Sequence, residues 1–219
     1  MSKTVYSLVL TDQVVEEIDR LAYSMGKSRS ALIDRILAEH VSYVTPEMRV
    51  NNILDSINEF IKSAGESFMV QSGDQSMVIR SSLKYKYKPS ICYSLQLLRT
   101  GEHTEGKINI GFRTQSEELK QKMQSFLKVW TALENEYIAP YFPSGIRYTA
   151  EDGKLTRSFI LPDEYRDKST PEIGEAIAEY IRMFDTILKC FFAEEDNEAG
   201  AAKAAEKYLE YLENGIVII

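Results

Sequence analysis

Residues 3–43 constrain this chain more than any other stretch. From Thr4 they read TVYSLVLTDQVVEEIDRLAYSMGKSRSALIDRILAEHVSY. In Thr4–Leu10 the side chains alternate as on a strand, with Tyr6, Leu8 and Leu10 on one face and Val5, Ser7 and Val9 on the other. Thr11 is a good N-cap for a helix starting at Asp12, and Asp12 and Glu16 suit the positive end of its dipole. Val14, Val15, Ile18, Leu21, Ala22 and Met25 recur at helical spacing as one apolar stripe. Gly26 is placed to end that helix. Ser28 then caps a second helix with the stripe Leu32, Ile33, Ile36, Leu37, His40 and Val41. One strand and two short helices cannot bury these stripes by themselves. An obligate dimer follows as the expectation.

The alternating strand ending in Leu10-Thr11, the first helix with Ile18 and Leu21, and the turn Gly26-Lys27-Ser28-Arg29-Ser30-Ala31-Leu32-Ile33 carry a resemblance. Residues 3–43, about a fifth of the chain, resemble a ribbon-helix-helix domain of the CopG/Arc type. The resemblance implies that strands from two chains pair antiparallel and that four helices form a shared core. It further implies that the ribbon enters the DNA major groove, where outward strand residues read base edges. The start of the second helix would offer backbone N–H groups to phosphate. Carried onto this sequence, the base-reading positions are Val5, Ser7 and Val9. The phosphate clamp is Ser28, Arg29 and Ser30, with Lys27 adjacent and Lys3 at the ribbon end. Family members usually carry polar or basic residues on the reading face. Val5 and Val9 can touch a thymine methyl but cannot make a bidentate hydrogen bond. The competing reading is a module that only dimerises, with its apolar ribbon face turned to protein.

Pro46 marks the first boundary, with Thr45 as cap of a helix expected over residues 45–64. This helix is either a connector or the first element of the next domain. Residues 65–219 read as an α+β domain: an antiparallel sheet with helices packed on it. Strands are expected at Phe68–Gln71, Met77–Tyr87, Ile91–Leu98 and Lys107–Phe112, the last two joined by a Thr100–Gly106 turn. A helix over Glu117–Tyr137 follows. The Asp152-Gly153 turn then joins strands at Gly145–Tyr148 and Leu155–Leu161. Helices starting at Thr170 and covering Ala199–Glu213 complete the chain. The layout from Ser116 to Phe192 loosely resembles YbjN-like and type III secretion chaperone-like α+β domains, which implies protein binding or dimerisation without catalysis.

The net charge of −7 argues against broad non-specific nucleic-acid binding. Its distribution matters more. In residues 1–44, Lys3, Arg20, Lys27, Arg29 and Arg35 face Asp12, Glu16, Glu17, Asp19, Asp34 and Glu39, leaving that part at −1 and the remainder at −6. Cys92 and Cys190 lack pairing or metal spacing and fit a reducing cytoplasm. His40 and His103, the two histidines, have no ligand-spaced companion. No phosphate loop, nucleophile elbow or metal-spaced cluster is present, so neither catalysis nor a metal or cofactor is expected. No apolar run reaches the ~20 residues of a membrane span, and no signal peptide is read.

Three further features have a functional and a plain reading. Arg80, Ser82, Lys84, Lys86 and Lys88 would share one strand face, to hold phosphate or an acidic partner, or to protect an exposed strand. The aromatic stretch Tyr137, Tyr141, Phe142 and Tyr148, with Pro140 and Pro143, would line a pocket or pack as an ordered loop. Glu194-Glu195-Asp196 with Glu198 would attract a basic partner or form a solvated loop.

These observations converge on a dimeric, or higher even-oligomeric, cytoplasmic bacterial transcription regulator that binds double-stranded DNA. The C-terminal domain would serve oligomerisation, sensing or a protein partner. The alternative is a protein–protein adaptor or chaperone-like protein that uses the ribbon module only to dimerise. The terminal Ile216-Val217-Ile218-Ile219 is costly to leave in water, at ~25 cal/mol per Å² of apolar surface. Deleting 216–219 is expected to lower the melting temperature or disturb assembly; an unchanged melting curve and oligomer mass would refute this.

Overall fold

A computed structural model describes residues 5–63, 68–86, 88–100, 103–112, 114–142, 145–161 and 169–215. Two compact units divide the chain at Met48/Arg49.

The first unit contains α1 (Asp12–Ser24) and α2 (Arg29–His40). Thr11 occupies the N-cap of α1, but its side chain makes no capping bond. Gly26, at φ +64°, ends α1. There the amide of Lys27 donates to the Ala22 carbonyl at 2.9 Å, closing the wide loop that a left-handed glycine allows. Ser28 Oγ accepts from the Ala31 amide at 3.2 Å and starts α2. The strand expected at Thr4–Leu10 does not form among the described residues 5–10. A strand exists only through the N–H and C=O groups of a neighbour, and the described part of this unit contributes no second strand. The helices also leave their apolar stripes open. Ala22, Leu32 and Ala38 are the buried apolar residues of this unit among those described. Val5 and Val9 are fully exposed, and Leu21, Ile36, Leu37 and Val41 are each more than one-third exposed.

The second unit is a six-stranded antiparallel sheet with helices packed on it, as the α+β reading expected. Its strands are β1 (Met69–Gly73), β2 (Ser76–Ser82), β3 (Ser90–Thr100), β4 (His103–Phe112), β5 (Arg147–Glu151) and β6 (Lys154–Ile160). Their order is β1-β2-β3-β4-β6-β5. Helix α3 (Pro46–Ser63) buries Val50, Ile53, Leu54, Ile57 and Ile61 in the same core, so it belongs to this sheet rather than to a free connector. The remaining helices are α4 (Glu117–Leu133), α5 (Thr170–Ala193) and α6 (Asn197–Glu213).

Strand alternation puts Met77, Ile79, Tyr93, Leu95, Ile108, Ile110 and Leu155 into the core. The opposite face is polar; Lys107 there aligns with Gln96 and Ser158. On the same face Thr156 donates to Asn109 Oδ1 at 2.8 Å. The helices meet in an aromatic cluster around Trp130, whose ring lies 4.6 Å from Phe184 and 5.4 Å from Tyr208. Close approach is set by glycine at two places. A Cβ on Gly174 of α5 would come within 2.6 Å of Ser56 Cβ of α3, and one on Gly200 of α6 within 2.9 Å of the Phe191 carbonyl.

Several element boundaries differ from expectation. β2 stops at Ser82 rather than continuing to Tyr87, because the chain turns back toward β3 there: the Leu83 amide makes a last in-register bond to the Pro89 carbonyl at 3.0 Å, and the Tyr85 amide then bonds the Leu83 carbonyl at 2.9 Å. Lys84, Lys86 and Lys88 therefore lie beyond the strand, and no basic strand face forms. β3 and β4 continue into the expected Thr100–Gly106 turn, paired out to Thr100 and His103. The long helix turns π-helical over Glu134–Ile138. α6 starts at Asn197, two residues early, because Asp196 Oδ1 accepts from the Ala199 amide at 2.7 Å. The terminal 216–219 segment lies outside the described residues.

Two buried ionic networks tie α5 and the sheet together. Asp185 accepts from Tyr93 OH at 2.8 Å, Ser81 Oγ at 3.1 Å and Lys189 Nζ at 2.5 Å. In the other network Glu134 Oε1 lies 3.1 Å from Arg157 Nε and accepts from Tyr180 OH at 3.1 Å. Both charged partners are 1% exposed. Burial pushes the Glu134 carboxyl above its ordinary value, against the opposing pull of Arg157. A carboxyl raised in the folded state contributes stability at low pH that is lost as pH rises through its folded value. Arg157→Met removes the opposing pull and raises that value further. It is expected to cost about 3–5 kcal/mol, more at about pH 8 than at about pH 5. Adding Glu134→Leu to Arg157→Met should recover most of the loss. Urea denaturation at the two pH values measures both effects; an equal cost for the single and double variants would refute the account.

Candidate nucleic-acid interface

The turn between α1 and α2 places the expected clamp residues at one helix start. Ser28 is exposed, and its hydroxyl caps α2. Ser30 Oγ lies 3.3 Å from Ser28 Oγ, so the two hydroxyls form one small polar patch. The first amides of any helix have no carbonyl four residues earlier to bond, which leaves the Arg29 and Ser30 N–H groups aimed outward. With the helix dipole they make an environment suited to an anion. Lys27 is half-buried beside them.

Arg29 is exposed but engaged. Its Nε and Nη2 both donate to the Asp19 carboxylate of α1 in a two-pronged ion pair. The hydrogen bond and charge of Asp19 raise the Arg29 pKa further above its ordinary value. The other arginines of the unit are also paired with carboxylates. Arg20 reaches Glu17 at 3.0 Å, and Arg35 reaches Glu39 at 2.8 Å. Pairing with acids three or four residues away follows from helical spacing. The Asp19–Arg29 pair crosses the Gly26 turn, so helical spacing carries no sign of it.

Val5, Ser7 and Val9 are all exposed. Val9 is wholly open and Leu8 and Leu10 are 56% and 40% exposed, but Tyr6 on the same face as Leu8 and Leu10 is 83% exposed, so both faces of the stretch are open. The structure does not bring these residues into a strand with the clamp. Lys3 lies outside the described residues.

A second feature of this unit had no separate signal beyond its stripes. Val14, Ile18 and Leu21 of α1 and Ile36 of α2 line an open, mainly apolar groove of about 640 Å³. Elsewhere, the aromatic stretch after α4 is partly pinned: Asn135 Nδ2 donates to Tyr148 OH at 2.6 Å, and Tyr137 stacks near Tyr208, whereas Tyr141 is exposed. Among the described residues no group of three or more His, Cys, Asp and Glu is arranged to hold a metal ion. No helix among them is long and apolar enough to cross a membrane.

No protein-family model, curated protein or solved structure matches the chain.

The groove lining gives a direct test of what covers it. Ile36→Asp places a carboxylate beside Val14, Ile18 and Leu21 in a groove that Glu17 and Arg20 also line, where a charge covered by an apolar partner is expensive to desolvate. The variant is expected to lose self-association, read as a fall in sedimentation mass. An unchanged mass for an oligomeric wild type would show that the groove lies outside the oligomer contact.

Proposed function

We propose that the protein is a dimeric DNA-binding regulator of the ribbon-helix-helix type. The observation that carries this reading is the first unit's imbalance: two helices joined by a closed turn, with their apolar stripes open, preceded by an exposed segment with alternating residue types. A second chain supplies what that unit lacks, namely a strand for residues 5–10 and a cover for Leu21, Ile36 and Leu37. In such a dimer Val5, Ser7 and Val9 face the major groove, while Ser28, Arg29 and Ser30 sit against phosphates. Two valines restrict base readout to methyl contacts, so phosphate contacts and Ser7 carry much of the recognition. The second unit serves as an oligomerisation, sensing or protein-binding domain.

One observation favours a second reading. Val5 and Val9 are among the most exposed large apolar side chains described. Such a face also suits a protein partner, and the acidic chain repels DNA phosphate outside the clamp. Under that reading the first unit only dimerises, and the protein is an adaptor.

Electrophoretic mobility shift with the DNA upstream of the protein's own gene, at stated low salt, separates the two readings. The regulator reading expects a specific shift that Arg29→Ala weakens by about tenfold, a phosphate contact being worth roughly 1–2 kcal/mol. No specific shift, with Arg29→Ala indistinguishable from wild type, would overturn it. Stoichiometric co-purification of a protein partner without DNA, lost on Val5→Asp, would establish the adaptor.

A further inference from the structure

We propose that Asp19 competes with DNA phosphate for Arg29, so that the ion pair across the α1–α2 turn holds the clamp neutral until a phosphate displaces the carboxylate. The inference rests on the regulator reading and adds to it a residue outside the clamp.

The geometry carries the argument. A guanidinium recognises carboxylate and phosphate through the same pairs of parallel N–H groups. In this structure one such edge, Nε with Nη2, is occupied by both oxygens of Asp19. A phosphate seeking that edge meets a carboxylate already bound. The outer Nη1 edge belongs to a pair whose net charge is zero, so its attraction for phosphate is weak. Position matters as well. Arg29 is the first residue of α2, next to the Ser28 cap, where an anion would meet the helix amides. Asp19 lies in the middle of α1 and contributes to no cap. Its one described ion-pair partner is this arginine.

Exposure decides whether the pair can be exchanged. The Arg29 and Asp19 side chains are 56% and 44% exposed. A pair so open to water is weak, and a phosphate array at high local charge density can replace the carboxylate. The Glu17–Arg20 and Arg35–Glu39 pairs lie within single helices and do not share the Arg29 edge. Asp19 therefore tunes how much of the N-terminal cation charge is offered to DNA. It penalises loose, non-specific contact more than a site that fills the whole clamp.

Fluorescence anisotropy with a mixed-sequence B-form duplex over a salt series tests this. The proteins are full-length wild type, Asp19→Asn, Asp19→Ser, Glu16→Gln, Arg29→Gln and the Asp19→Asn/Arg29→Gln double variant. Helical circular dichroism and sedimentation mass confirm that each keeps its fold and assembly. Glu16 sits on the same helix and is exposed, so Glu16→Gln makes the same charge change without releasing Arg29. Asp19→Asn and Asp19→Ser are expected to bind about three- to ten-fold tighter at low salt. Their salt slope should steepen by about 0.9 for each Arg29 released. Glu16→Gln should change affinity less than twofold, and the double variant should match Arg29→Gln. Equal gains from Asp19→Asn and Glu16→Gln would overturn the proposal, since charge alone would explain them. A wild type that binds and an Asp19→Asn that binds no better would also overturn it, leaving the regulator reading intact. No duplex binding by any variant would remove that reading and this one together.

Discussion

Every layer of the second unit meets on α5. It buries a face that includes Ile177, Ile181, Phe184, Leu188 and Phe191. Its neighbours reach it by different chemistry. α3 and α6 come close because Gly174 and Gly200 have no side chain to hold them off. α4 meets it through Trp130 and Phe126, whose rings pack edge-on against Phe184. The sheet is pinned through Asp185, which collects bonds from β2 and β3. A helix contacted on so many sides has little freedom to shift, because interdigitated side chains resist sliding.

The buried charges sharpen that arrangement. Asp185 and the Glu134–Arg157 pair remove charge from water, and pairs of this kind rarely add net stability over apolar residues of the same shape. They make misplacement costly instead. If α5 rotated, Tyr180 would leave Glu134 and the buried carboxylate would lose one of its two described partners. The π-helical turn at Glu134 belongs to the same design, since it sets the carboxylate opposite β6 at the point where the long helix ends. These networks give the domain one register, whereas apolar packing alone would tolerate several.

The first unit follows a different rule. Its second helix is capped by Ser28 and its turn is closed, yet its apolar stripes stay open in a single chain. Local hydrogen bonds complete the backbone; they leave the side chains without a core. In the proposed reading a second chain supplies the missing cover. Three arginines there are each held by a carboxylate, so the unit offers less positive charge than its arginine content implies. In the proposed DNA complex that pairing becomes part of the recognition, with Asp19 setting how readily Arg29 engages.

Much of this fold was legible in the chain, because periodicity is local. Apolar spacing located the first five of the described α-helices, and the Gly26 turn, the Ser28 cap and the Asp152-Gly153 hairpin were readable from residue type and position. Boundaries were less legible: β2 ends at Ser82, where the chain turns back toward β3, and the Glu117–Tyr137 helix changes its winding at Glu134. Of the candidate site, the sequence by itself placed the Gly26 turn and Ser28 as the cap of the second helix, since capping depends on near neighbours, whereas the clamp was implied by the family resemblance. Only the tertiary structure decided that Arg29 is bound by Asp19, that Lys84–Lys88 form no strand face, and that Glu134 and Arg157 share a buried site. Each depends on how separate elements cross in space, and a pairwise electrostatic contact leaves no period in the chain to read.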